Sequence, residues 1–559
     1  MDRIIECVPN FSEGRNMKII EEIIDIIRKT PEVHLLDVSV GRSANRTVVT
    51  FIGSPESIGD VAFKAIRKAA ELIDMRKHRG EHPRIGATDV CPFVPIRGVT
   101  MEECVQIARE VGKRVGEELG IPVYLYEYAA TAEHRRRLED IRAGGYESLP
   151  EKLKDPMWKP DYGPCEWNER VAKTGATVIG ARDLLIAFNV NLNTKDKKTA
   201  QEIAKAVRKS GCIEKLPDRT KLKEPLKVVK AIGWYIEEYG RAQVSINLTN
   251  YKMMPLWKVF ETCVEEARKF GVRVTGSEVV GLVPKNAILE AGRYYLRKQG
   301  KSDAVPEEDL IHTAILSLGL NDVTEFKPAE KILEYKIESV LGVRKLANLT
   351  VKSFMDELSR SSPIPGGGGV AALLGSLSAS LSSMVSALTY GKKRYEMYNE
   401  DVIKIGRKAQ ELKDKYLDLV EEDARAFDEF MSALKLPRKT EEEKRLRKKK
   451  MQEAAKRSTE VPMKVLKLSL NLMDIAEELV EKGNKDAISD AGISAICAYG
   501  AAYGAYLNVL TNLVWIRDRD FVESANVTAS KIIKEVESRK ERVLKKVVKK
   551  MGYSGKDAL

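Results

Sequence analysis

The sequence predicts an α/β half followed by an all-α half. Two ferredoxin-like βαββαβ subdomains are expected over residues 1–178 and 179–327, then a linker over 328–348 and an all-helical bundle domain over 349–559. Three observations carry this expectation. Two stretches of the first half run through the same order of β-rich and helix-periodic segments. Beyond about Phe326 the strand-like runs stop and everything has a helical period. A chain of 559 residues also exceeds what one hydrophobic core accommodates.

In the first subdomain, residues 3–8 read as a strand and 17–28 as a helix with Ile19, Ile20, Ile23, Ile24 and Ile27 on one side. Strands follow over 33–38 and 46–52, a helix over 57–73 and a strand over 90–96, which is the β-α-β-β-α-β order. A helix over 100–119 and a strand over 122–126 extend it. The order then recurs: strand 184–191, helix 197–210, strands 227–235 and 242–248, helix 255–270, strand 272–275. Between the two lies 150–180, rich in Pro, Gly and aromatic residues. It reads as a long ordered loop, and crossings between subdomains are where ligand clefts form.

In the helical half, residues 361–391 and 491–516 carry no charge and are long enough to span a bilayer. The first sets Ser376, Ser378, Ser380, Ser382, Ser383 and Ser386 opposite an apolar stripe, and the second is loaded with Gly, Ala and Tyr. Small residues let helices pack closely, so buried bundle helices are expected here and not membrane insertion.

Apolar residues make up 43% of the chain, which excludes disorder as a whole-chain description. The net charge of +12 arises from 94 basic and 82 acidic residues. Such an excess favours anionic partners, and a polyanionic small molecule serves as well as nucleic acid. Seven scattered cysteines form no C-x-x-C pair, so neither a disulfide framework nor a zinc site is indicated. The opening MDRIIECVPN lacks a signal-peptide apolar region, which sets a cytoplasmic expectation.

The stretch RKHRGEHPRIGATDVCPFVPI holds His78 and His82 where Gly80, Pro83 and Gly86 break any helix. A histidine loop delivered onto the end of a core strand suits catalysis. It reads equally as a surface histidine beside Arg and Glu. The order H-E-x-x-H is absent, so no metal is expected. Along one helix, Tyr416, Leu419, Val420, Asp423, Phe427, Phe430, Met431 and Leu434 follow 3- and 4-residue steps. Asp423 interrupts that apolar stripe, so it is either paired within the bundle or kept for chemistry. Glu421 and Glu422 read as solvated charges. Gly366, Gly367, Gly368 and Gly369 precede a helix start, where free N–H groups hold an anion such as a carboxylate, or where the chain simply needs a flexible entry. The basic runs 445–450 and 545–550 lack stacking aromatic residues and read as solvated helix faces.

Together, ECVPNFSEGRN, NRTVVTFIG, GEHPRIGATDVCPFVPIRGV, PVYLYEYAA, AQVSINL, GSEVVGLVP and PGGGGVAALLGSLSASLSSMVSALTYGKKRY resemble the formiminotransferase–cyclodeaminase family over nearly the whole chain. The resemblance implies a bifunctional folate enzyme of histidine degradation. One half would transfer the formimino group from N-formimino-L-glutamate to tetrahydrofolate. The other would cyclise 5-formiminotetrahydrofolate to 5,10-methenyltetrahydrofolate and release ammonia. His82 in GEHPR and Asp423 in VEEDARAF match the family's catalytic histidine and aspartate.

The loop GPCEWNERVAKTG corresponds to the family's folate-binding loop, which places Gly163, Pro164, Cys165, Glu166 and Gly175 with the glycines 366–369 as binding residues. The family often carries an acid where Ser39 stands. Tetrahydrofolate is the implied co-substrate, with or without a polyglutamate tail, and no metal is implied. The net positive charge, with Lys392, Lys393 and Arg394 after the glycine-loop helix, suggests a track for such a tail. The small-residue helices suggest a homo-oligomer built from dimers. Formyl transfer between folate and glutamate, and a nucleic-acid-binding scaffold, are the alternatives.

Overall fold

A computed structural model of the chain describes residues 3–215, 221–342 and 346–553. It divides into two compact units, one of Met1–Gly292 with Ile311–Val343, the other of Arg293–Leu310 with Arg344–Leu559. The first mixes sheets and helices, and the second is helical.

In the first unit, β1 (Ile4–Cys7), β2 (Asn10–Phe11), β3 (Val33–Gly41), β4 (Arg46–Gly53), β5 (Thr88–Arg97), β6 (Val123–Glu127) and β7 (Thr177–Ala181) form one sheet. Its path is β1-β4-β2-β5-β7-β6, with β3 on β4 and a further β1–β5 pairing. Strands β5, β7 and β6 run parallel and the other pairs antiparallel. Helices α1 (Met17–Arg28), α2 (Pro55–Leu72) and α3 (Met101–Leu119) cover one face. There Ile23, Ile27, Phe63, Ile66 and Val115 pack on Ile5, Cys7, Phe51 and Phe93. The start of α3 is fixed by Thr100 and Glu103, each side chain accepting from the other's backbone N–H. The strand period of two sends Ile4, Arg46, Thr50 and Ile52 to the opposite face. Part of that face is covered by α4 (Leu138–Arg142) and α5 (Leu149–Lys152), where Ile141 and Leu149 meet Tyr124, Tyr126 and Val178.

The stretch 150–180 is not a loop throughout. It ends in α6 (Glu169–Thr174) and β7, and the expected subdomain border at 178/179 falls inside β7. Five buried residues flanked by Gly175 and Arg182 are too short a run to show a strand period, yet they fill the gap between β5 and β6.

The second sheet has β8 (Ile186–Leu192), then the unforeseen hairpin strands β9 (Cys212–Lys215) and β10 (Lys221–Lys227) as a separate pair, then β11 (Val229–Ile236), β12 (Arg241–Leu248) and β13 (Val274–Val280). Its antiparallel order is β11-β12-β8-β13. Helices α7 (Lys197–Ser210) and α8 (Leu256–Lys269) accompany it, and Phe260 of α8 meets Phe188 of β8. Beyond it come α9 (Lys285–Lys298), α10 (Glu307–Leu318), α11 (Pro328–Lys331) and α12 (Leu333–Val340). The expected linker is therefore helical over much of its length, because Leu333 and Ile337 bury against Ile4, Leu36 and Ile52. Its residues 343–345 lie outside the described residues.

The helical unit contains α13 (Val351–Leu358), α14 (Gly367–Thr389), α15 (Asn399–Leu434), α16 (Glu441–Lys482), α17 (Ile488–Leu513) and α18 (Arg519–Lys550). By length and composition α14 and α17 could each cross a membrane. In the unit they pack through Ala371, Ala379, Ala495, Ala498 and Ala502, and a hydroxyl cluster of Ser378, Ser382 and Ser494 joins them. Gly375 lets the Tyr416 ring lie against α14, because a Cβ there would overlap the ring. Leu377, Leu388, Ile493, Ile496 and Leu507 remain exposed. Glu421 is not solvated as expected: it is buried and accepts the Ala347 N–H at 2.9 Å. The run 545–550 pairs in part with α16, through Lys546 and Lys550 to Glu481.

Candidate active sites

The His82 loop is stapled to its surroundings by polar contacts. His78 is buried, with Nε2 bonded to the Asn45 carbonyl at 2.8 Å and Nδ1 accepting from Arg84 Nε at 3.1 Å. It therefore holds the loop and is not its chemistry. Asn45 donates to the Arg79 carbonyl at 2.9 Å, which ties the loop to the start of β4. On the other side, Arg84 pairs with Glu147 and its carbonyl accepts the Tyr146 N–H at 2.9 Å.

His82 itself places Nδ1 2.7 Å from the Pro83 carbonyl oxygen. A carbonyl only accepts, so Nδ1 carries the proton and Nε2 keeps its lone pair. Burial, then the positive charges of Arg46 and Arg142, pushes the imidazole pKa down to about 3. His82 is thus neutral at physiological pH, with Nε2 free to accept a proton once an anion offsets the two arginines.

Arg46, Asp89 and Arg142 make a cluster that no single motif announced. Arg46 Nη1 donates to Asp89 Oδ2 at 2.5 Å, and Arg142 bonds both oxygens of the same carboxylate. Asp89 is fully buried, and its two arginines hold its pKa down at about 2 against burial. The available signal was a charge inside otherwise apolar strand runs, in NRTVV and TDVCPF.

Ser39 lies across from Val48 on the β3–β4 ladder and donates to Asp37 Oδ2 at 2.7 Å. A carboxylate therefore stands two residues before Ser39, on its hydroxyl. Of the loop 163–175, Gly175 bridges to Gly86 and so adjoins the His82 loop. Gly163, at φ +85°, is fixed against Ile121 and Gly116. Pro164 and Cys165 are half-buried, and Glu166 is exposed. Trp167, which follows them, tilts against Tyr146 at 5.8 Å between centroids.

In the helical unit, a cavity of about 210 Å³ is lined by Gly366, Gly367, Gly368, Gly369, Asp423, Phe427, Phe430, Asn508, Asn512 and Trp515, among others. Asp423 is the only titratable side chain lining it among the described residues. The glycine run does hold a carboxylate, and it is the chain's own: the Gly369 N–H donates to Asp423. That bond lowers the pKa, but burial outweighs it and raises Asp423 to about 6. Asp423 can therefore exist in either protonation state near neutrality, as an acid–base group requires. Asn508 and Asn512 donate to the carbonyls of Gly504 and Ser458, at 2.8 and 2.6 Å. Their side-chain oxygens make no hydrogen bond among the described residues. These two and Trp515 were not foreseen at a site, because their spacing only signals a small-residue helix; Trp515 stands edge to face at 5.6 Å with Phe430 of the Asp423 stripe.

Comparisons with known proteins agree along the chain. Residues 4–182 match the formiminotransferase domain, N-terminal subdomain; residues 187–338 match the formiminotransferase domain; residues 350–531 match formiminotransferase-cyclodeaminase. Formimidoyltransferase-cyclodeaminase of Rattus norvegicus is 42% identical over 544 residues, 97% of this chain and 98% of the relative. Glutamate formimidoyltransferase of Streptococcus pyogenes serotype M1 is 46% identical over 298 residues, 53% of this chain and 94% of the relative. Methenyltetrahydrofolate cyclohydrolase of Methylorubrum extorquens is 38% identical over 204 residues, 36% of this chain and 98% of the relative.

Proposed function

Because the chain belongs to the formiminotransferase–cyclodeaminase family, we propose that it transfers the formimino group from N-formimino-L-glutamate to tetrahydrofolate. It then cyclises 5-formiminotetrahydrofolate to 5,10-methenyltetrahydrofolate with release of ammonia. It is an enzyme with both activities. The observation that carries this reading is the pair of acid–base groups, a neutral His82 and a raised-pKa Asp423, one in each unit.

In transfer, the folate 5-nitrogen attacks the formimino carbon. His82 Nε2 takes the proton released there and returns it to the departing glutamate nitrogen. In cyclisation, the 10-nitrogen attacks the carbon of the protonated formimino group, Asp423 takes the proton of the 10-nitrogen, and that proton passes to the amino group, which leaves as ammonia. Asp37, held by Ser39, stands near the position where the family often carries an acid. The loop residues Gly163, Pro164, Cys165, Glu166 and Gly175 are read as contributing to the transferase folate site. The glycines 366–369 are read as contributing to the cyclodeaminase site.

The same reading places the enzyme in histidine degradation, in the cytoplasm, as a homo-oligomer built from dimers. Its co-substrate is tetrahydrofolate with or without a polyglutamate tail, and where the tail is present the exposed Lys392, Lys393 and Arg394 attract it. The domain division at 1–178, 179–327, 328–348 and 349–559 is retained as a functional one, with the border near β7. The orders β3-β4-β1-β5 and β11-β12-β8-β13 support a ferredoxin-like description of both subdomains. The test is the ultraviolet absorbance of methenyltetrahydrofolate formed from formiminoglutamate and tetrahydrofolate. No such absorbance from the purified protein would refute the reading.

A further inference from the structure

The cluster beside His82 has charges that do not cancel. Two guanidinium groups share one carboxylate, and the side chains of Arg46, Asp89 and Arg142 are 9%, 0% and 15% exposed. Arg46 directs Nε to Asn10 Oδ1 at 3.1 Å and Nη1 to Asp89. Arg142 directs Nε and Nη2 to Asp89. Asp89 Oδ1 also accepts the Ile85 N–H at 2.9 Å, so its oxygens are well occupied. Among the described residues, Arg46 Nη2 and Arg142 Nη1 make no hydrogen bond.

A desolvated net positive charge with spare donors is unfavourable until an anion completes it, and a planar carboxylate matches guanidinium donors best. The cluster cannot drift from His82, because both of its arms are fastened to the histidine's loop. Asn45, the residue before Arg46, bonds His78 and Arg79, and Tyr146, four residues after Arg142, bonds Arg84.

We propose that Arg46 and Arg142, braced by Asp89, form the receptor for the α-carboxylate of the formimino donor. The inference rests on the transferase reading of the His82 site. The departing nitrogen that His82 must protonate is bonded to the same carbon as the α-carboxylate. An anion receptor beside His82 therefore meets that group, whereas the γ-carboxylate lies further along the side chain. The pterin ring beside the folate 5-nitrogen carries no carboxylate, and the folate's own glutamate lies beyond the aminobenzoyl group. The cluster accordingly selects an α-amino acid donor and sets its nitrogen against Nε2.

The test compares N-formimino-L-glutamate with its α-carboxamide as donors to tetrahydrofolate, using the full chain. Wild type should prefer the acid by roughly thirtyfold or more in kcat/KM. Arg142→Gln should raise KM for the acid about tenfold or more and leave KM for tetrahydrofolate within about threefold, while kcat/KM for the amide falls far less than that for the acid. Arg142→Lys should restore part of the preference. Equal use of acid and amide by wild type, or equal losses on both donors in Arg142→Gln, would overturn the proposal. A far-ultraviolet circular dichroism spectrum and melting transitions like those of wild type show that Arg142→Gln is folded. If it does not fold, the wild-type comparison of acid and amide decides alone. Absence of transfer from either donor by wild type would remove the transferase reading and this proposal with it, a result distinct from equal use.

Discussion

Gly368 stands against the carboxyl group of Asp423 so closely that a Cβ on it would lie inside 3.0 Å of Oδ1, Oδ2 and Cγ. The glycine is thus required for room at that point. Gly368→Ala must displace Asp423 or the start of α14. Cyclisation should fall by roughly a hundredfold or more, while transfer to folate persists. Separate assays of the two steps on the purified variant check this.

The two acid–base groups should separate the two activities. His82→Ala is expected to abolish transfer and leave cyclisation of supplied 5-formiminotetrahydrofolate largely intact. Asp423→Ala should do the reverse, and the formimino intermediate should accumulate. A folded variant of either kind that lost both activities would contradict the two-site scheme.

Asp423 also makes stability depend on pH. Its folded pKa, about 6, lies above the ordinary 3.8, so the folded state binds more protons in between. Stability is therefore greatest below that window and is lost as pH rises through about 6. Asp423→Asn removes the penalty. Relative to wild type it should gain about 2 kcal/mol between pH 4 and pH 8, read from denaturant midpoints.

His82 has the opposite sign. Its pKa lies below the ordinary 6.5, held down by burial and by Arg46 and Arg142 against the attraction of Asp89. The unfolded chain binds the extra proton, so this group's contribution to stability is lost as pH falls through 6.5. The transferase kcat/KM should show no acid limb near pH 6.5, only one well below it. A descent centred at pH 6.5 that vanished in a His82 variant would disprove the neutral-base assignment.

The exposed apolar residues of α14 and α17 should be covered by a second copy. Light scattering should give a stable dimer or larger assembly at micromolar concentration, and Ile496→Glu should weaken it. A wild-type monomer under those conditions would rule this out.

The sequence by itself determined what depends on near neighbours along the chain. The stripe Ile20, Ile23, Ile24, Ile27 made α1, and glycine and proline around His82 made its loop. Asp423 stood out because a charge in a helical apolar stripe is legible from spacing alone, and the motif resemblance named both candidate residues. Tertiary structure decided whatever joins distant segments. Only folding brings Arg46 of β4, Asp89 of β5 and Arg142 of α4 together: the first two stand out as charges in apolar strand runs, but nothing in the spacing says that they meet each other or Arg142. Glu421 is buried although its neighbour Glu422 pairs at the surface with Lys464, because the chain near Ala347 covers one and not the other. Strand β7 exists because β5 and β6 leave a place between them, and five residues encode no period that says so. Local patterning fixes which face of an element is apolar. The partner that face meets, and hence the charge and pKa of the groups at a site, is a property of the packed whole.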